Sequence, residues 1–129
     1  MDKIANPAPG FKSNPDRRIT IELFSGTVTV TLSDAIIASS SRAKVLREGT
    51  YGPVLYIPFA DIHFELLVPS ATSTHCQYKG DASYWSGVVS GEIRKDVMWA
   101  YRHPYDEMLA IKDHGAFYPD RVRIETTEG

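Results

Sequence analysis

The sequence predicts a mainly β, antiparallel single domain with one short helix near its C-terminus. Three observations carry this expectation. Apolar and polar residues alternate on either side of Ser25-Gly26, they alternate again around Ser90-Gly91, and they alternate a third time from Ile62 to Val68. A chain of 129 residues with 43% hydrophobic and 23% charged positions has the size and balance of one folded core.

Residues 1–18 hold Pro7, Pro9, Gly10 and Pro15, so this segment reads as an arm that needs docking to become ordered. The β-rich domain is expected over 19–125, with 126–129 as a tail. In its first part, a two-residue loop at Ser25-Gly26 pairs Leu23 with Val28, Ile21 with Val30 and Ile19 with Leu32, which puts all six on one face. Val45-Leu46 and Val54 to Ile57 read as short strands around a turn from Gly49 to Pro53. Ile62, Phe64, Leu66 and Val68 form the inward side of a further strand, leaving His63 and Glu65 together on the other.

The second Ser-Gly pair sets Val88 against Ile93 and Tyr84 against Val97, and the same register continues to Ala82 against Trp99 and Gly80 against Tyr101. Pro104, Asp106 and Glu107, then Met108, Leu109 and Ile111, and finally Gly115, have the start, spacing and stop of the short helix. Phe117, Val122 and Ile124 make a last strand, in which Pro119 suits an edge or a bulge.

Composition also bounds the function. A net charge of −2 with mixed signs supplies no broad footprint for nucleic acid or anionic lipid, and Arg17-Arg18 reads as a solvated strand entrance. No apolar run reaches the length of a membrane span, the N-terminus lacks a signal-peptide core, and the single cysteine, Cys76, agrees with a reducing compartment. The expected location is the cytoplasm, without nucleic-acid or membrane partners.

Tyr56-x-Pro58-x-x-Asp61, Thr74-x-Cys76-x-x-Lys79-Gly80-x-Ala82-x-Tyr84-Trp85, Trp99-x-Tyr101-x-x-Pro104 and Phe117-Tyr118-x-Asp120-Arg121-Val122 follow one another in the chain. In this order they resemble the bacterial and fungal domain of unknown function numbered 427, sometimes labelled nucleotidyltransferase-like, from about Asn14 to Ile124. Gln77 departs from the family's usual proline after the cysteine. The resemblance implies a β-tent fold similar to that of methionine sulfoxide reductase B, and no established activity.

The transferase label finds little material here. Nucleotidyl transfer uses closely spaced carboxylates to hold divalent metals, and the chain has no pair of Asp or Glu two residues apart. Neither a P-loop nor a Gly-x-Gly-x-x-Gly run is present. One cysteine and four histidines are thin material for a closed zinc site, and on an extended strand His75 and Cys76 point to opposite sides. No metal or other cofactor is expected.

The candidate site is the face on which Cys76, Tyr78, Tyr84, Trp99 and Tyr101 project together, with Lys79 beside it. Such a face can line a pocket for a flat or apolar small molecule, or it can simply be packing. Cys76 is the one soft nucleophile, and without a nearby cation it is expected to resist alkylation in the native protein. Lys79, sent by alternation to the other side unless the chain bends at Gly80, reads as an ion-pair partner for Asp81 or Asp120. His63 and Glu65 form a possible acid-base pair, and His114 a helix C-cap favoured in its charged form. Two functions remain: binding of a small molecule in an aromatic-lined pocket, with or without catalysis, or a non-catalytic module that self-associates through a strand edge or apolar patch.

Overall fold

The computed structural model describes residues 5–128 and is mainly β. One helical turn, α1 (Gly10–Ser13), precedes ten strands: β1 (Ile19–Leu23), β2 (Thr27–Leu32), β3 (Ala35–Ser40), β4 (Lys44–Glu48), β5 (Val54–Pro58), β6 (Leu67–Cys76), β7 (Gly80–Val89), β8 (Glu92–Ala100), β9 (His114–Phe117) and β10 (Arg123–Thr127). They form an antiparallel seven-stranded sheet, ordered β1-β4-β5-β9-β8-β7-β6, and a three-stranded sheet, ordered β10-β2-β3.

Two apolar clusters follow from this arrangement. In β2, Thr-Val-Thr-Val-Thr-Leu alternates so that Val28, Val30 and Leu32 are buried; they join Ile37 and Ala38 of β3 against Ile57, Trp85, Met98 and Phe117 of the large sheet. The other cluster gathers Leu46, Tyr56, Ala82, Tyr84 and Tyr101 with Met108, Ile111 and Ala116. Consecutive residues of one strand feed different clusters, Tyr56 and Ile57 for example, as expected of a sheet covered on both faces.

The first predicted hairpin does not form. β1 pairs with β4 (Ile21 opposite Leu46) in the large sheet, whereas β2 pairs with β3 and β10 in the small one. At Ser25-Gly26 the chain crosses from one sheet to the other. Gly26 is needed there because its φ is +139° and a Cβ would strike the carbonyl oxygen of Thr127. The tight turn that β2 does make lies at Ser33-Asp34, with Leu32 opposite Ala35 and Ser33 at φ +53°.

The second hairpin is correct near its loop and shifted beyond it. Val88 faces Ile93, but a bulge moves the register by two residues, so that Tyr84 faces Trp99 rather than Val97 and Ser83 faces Ala100. Asp96 lies at the irregularity with φ +50°. The β7–β8 ladder ends at Ser83 with Ala100, so Gly80 does not pair with Tyr101; its ladder partner is Cys76 on β6.

Three other expectations change. The alternation from Ile62 to Val68 breaks into 3₁₀ turns at Phe59–Asp61 and Phe64–Leu66 before β6 starts, leaving Leu67 buried and Val68 exposed. The helix expected near the C-terminus is a 3₁₀ segment, Asp106–Ile111, kinked at Met108, and the α-helical turn lies in the N-terminal arm. The last strand is two: β9 in the large sheet and β10 in the small one, with Pro119 between them.

One pairing matters for the site. β5 and β9 meet only at Ile57 with Gly115 and Pro58 with His114, so the stretch Val54 to Tyr56 has a ladder partner on its β4 side alone. Beyond that short contact the seven-stranded sheet is open.

Candidate functional site

Of the five residues predicted to share a face, Cys76, Tyr84, Trp99 and Tyr101 gather at one apolar cluster that is mostly packed shut, whereas Tyr78 lies outside it. Tyr84 and Tyr101 are buried in the second cluster with Tyr56, while Cys76, Trp99 and Tyr118 sit at its half-buried margin. The Tyr84 hydroxyl is 2.9 Å from Thr74 Oγ1. Burial raises the phenols of Tyr56 and Tyr101 well above their ordinary range. Burial, followed by the neighbouring Tyr84 hydroxyl, pushes Tyr118 up to about 12.

Trp99 is held from two sides. Its ring meets that of Tyr56 edge-on at 6.4 Å, and the Tyr118 ring lies 4.5 Å away, tilted against it. Arg121 stacks over Tyr118, its guanidinium carbon 4.5 Å from the ring centroid, and donates to the carbonyl of Asp96 at 2.6 Å. The indole is thus flanked by two aromatic rings, one of which is itself stacked under a guanidinium.

Beside this face lies a charge cluster that the sequence reading did not assemble. Lys79, only 7% exposed, places Nζ 2.7 Å from Glu48 Oε1, and Arg17 donates to Glu48 Oε2 at 2.6 Å. Burial alone would raise the Glu48 carboxyl; the bonds from Lys79 and Arg17 outweigh it and hold the group below its ordinary value. Lys79 thus pairs with neither Asp81 nor Asp120. Nor does it point away from Cys76: β6 ends at Cys76, the chain turns with Lys79 N-H on the Cys76 carbonyl, Gly80 takes φ +118°, and Nζ comes within 3.9 Å of Sγ. Tyr78 is buried under Phe11 of the arm, their rings edge-on at 5.1 Å, and Gly10 N-H reaches the Gln77 carbonyl at 2.9 Å. Asn6 and Ala8 donate to the carboxylates of Asp106 and Glu107. These contacts dock residues 6–11 of the arm onto the domain.

The remaining polar candidates disperse. His75 bonds Asp81 at 2.7 Å on the surface, opposite Cys76 as expected. His63 binds the Ile36 carbonyl at 2.9 Å instead of pairing with Glu65. His114 starts β9, donates Nδ1-H to the Lys112 carbonyl, and is shifted down by burial, so its neutral form is favoured rather than the charged C-cap. Among the described residues no three of His, Cys, Asp and Glu gather as a metal site, and no helix is long and apolar enough to cross a membrane.

Where the large sheet opens beyond Ile57, a cleft of about 290 Å³ runs in between the two sheets. Pro53, Val54, Leu55 and Ile57 form one wall, Trp99, Phe117 and Pro119 the other, and Val28, Val30 and Ile124 of the small sheet the floor. Of the six predicted site residues, Trp99 alone borders it. Tyr56 and Tyr118, which flank Trp99, were legible in the family motifs but not as site residues; the Val54 to Ile57 wall carried no chemical signal at all.

Fold and site together define a mainly β domain of two antiparallel sheets enclosing an apolar cleft. The chain belongs to the family of the domain of unknown function DUF427, whose model matches residues 20–128. No curated protein matches it.

Proposed function

We propose that this domain binds a flat, largely apolar small molecule of one or two rings in the cleft between its sheets. The observation that carries the reading is the wall made by Trp99, whose indole packs against the rings of Tyr56 and Tyr118 and so meets a ligand already supported. A preset aromatic surface facing apolar side chains favours a ring, since stacking and apolar burial then cost no side-chain ordering. Val54 to Tyr56, paired on one side only, supplies backbone donors and acceptors for a polar edge of the ligand.

None of the ten residues around the cleft is titratable, which supports binding over catalysis there. Cys76, Tyr78, Lys79, Tyr84 and Tyr101 then serve as the rigid support behind Trp99 and do not touch the ligand.

Titrating ¹⁵N-labelled protein with indole and quinoline tests the reading. The Trp99 Nε1-H and the amides of Val54, Leu55 and Phe117 should shift together and saturate, and Val54→Trp, which fills the cleft, should abolish the response. Shifts confined to other surfaces, or none with either probe, would falsify it.

A further inference from the structure

We propose that β1 is a self-pairing edge through which two copies of this chain join their large sheets into one continuous antiparallel sheet. β1 ends the strand order, with β4 on one side and, among the described residues, no strand on the other. Arg18 accepts from Gly49 N-H at 3.2 Å, and Phe24 N-H donates to the Ala43 carbonyl at 2.9 Å. Even-numbered residues of this strand therefore direct their backbone groups to β4, and Ile19, Ile21 and Leu23 direct theirs outward.

That alternation restricts antiparallel self-pairing to registers that oppose odd residues with odd. Pairing Ile19 with Ile21 of the second copy, and the reverse, places Thr20 on the two-fold axis against its own copy. It also sets Arg18 opposite Glu22 twice, and neither side chain has an ion-pair partner among the described residues. Shifting by two residues in one direction sets Arg18 opposite Thr20; shifting in the other sets Glu22 opposite Thr20. Four residues of shift bring Arg18 against Arg18 or Glu22 against Glu22. Charge complementarity thus selects one register.

The side chains agree with it. Arg18, Thr20 and Glu22 lie on the exposed face of β1, so the cross-copy ion pairs form without burial. On the opposite face, Leu23, 74% exposed, comes opposite Arg17 of the second copy, whose guanidinium sits 5.6 Å from the exposed Tyr51 ring. β1 also has neither proline nor bulge, whereas β6 at the other end of the sheet carries Pro69 and a break in its register. The contact is isologous and closes at two copies.

Sedimentation velocity over a concentration series, combined with charge reversal, tests this. The wild-type chain should reach twice its 14.4 kDa mass. Glu22→Arg should weaken the dimer by about tenfold or more, because both pairs become repulsive. Arg18→Glu combined with Glu22→Arg should restore it. In a Cys76→Ser background, Thr20→Cys should give a reducible covalent dimer under mild oxidation, since that residue alone meets itself across the axis. Circular dichroism establishes that each variant folds. A wild type that stays monomeric throughout, a dimer indifferent to Glu22→Arg, failure of the double reversal to restore it, or absence of the Thr20→Cys cross-link would each overturn the register proposed.

Discussion

Lys79 and Glu48 form an ion pair, Nζ to Oε1 2.7 Å, that ties the turn after β6 to the end of β4 across 31 residues of sequence. Arg17 completes it from the arm, so one carboxylate fastens three separate segments. Removing that carboxylate strands a mostly buried ammonium.

Glu48→Gln should therefore lower unfolding free energy by about 2 kcal/mol, less than the roughly 3–5 kcal/mol for breaking a fully buried pair because Glu48 keeps some solvent contact. The sign of its pH dependence follows from the depressed carboxyl. An acid held lower in the folded chain than in the unfolded one contributes stability fully above the unfolded value near ~4.3, and loses it as pH falls through the folded value. Urea unfolding at a series of pH values below neutrality should thus show a shallower acid loss in Glu48→Gln than in the wild type. Equal slopes would mean that the pair does not couple to folding.

Neither Glu48 nor its partners could be matched from the sequence, because a single carboxylate in an ambiguous stretch gives no sign of a lysine 31 residues away. The hairpin at Ser90-Gly91 was legible because loop and alternation are local, and it failed only beyond the bulge at Asp96, which no periodicity announces. At Ser25-Gly26 the same local signals misled. Ile19 and Ile21 pack on the tyrosine cluster while Val28 and Val30 pack between the sheets, and an alternating strand fits either place equally well. Alternation brought Cys76, Tyr84, Trp99 and Tyr101 together but not Tyr78, which lies past the end of β6, and whether their face would be open depended on the arm, β4 and β5 closing over it.

Gly115 joins the two parts of the large sheet, pairing with Ile57 on one side and Ala100 on the other. A Cβ there would run into Met98 Sδ and lie 2.8 Å from Ile62 Cδ1, both in buried side chains. Gly115→Ala should cost about 1–2 kcal/mol through overpacking, seen as a lower urea midpoint at unchanged slope. Adding Ile62→Val, which removes the Cδ1 in its way, should recover part of the loss. If the double variant is no more stable than Gly115→Ala, that collision is not the cause.

The half-buried thiol of Cys76 faces a cation after all, the ammonium of Lys79. A lysine 3.9 Å from sulfur promotes nucleophilic character only to the extent that its charge is uncompensated, and here Glu48 lies closer to Nζ than the sulfur does. The wild-type thiol should therefore react slowly with iodoacetamide near neutral pH and rapidly once urea unfolds the chain. Glu48→Gln leaves Lys79 without its carboxylate and should speed native alkylation severalfold, whereas Glu48→Gln combined with Lys79→Met should return it to the slow rate. That pairing of variants separates charge from access: loosening of the fold alone would leave the double variant as fast as the single one. Rapid alkylation of the wild type in the folded state would show that Glu48 does not restrain the site, and would make Cys76 a reactive group in its own right.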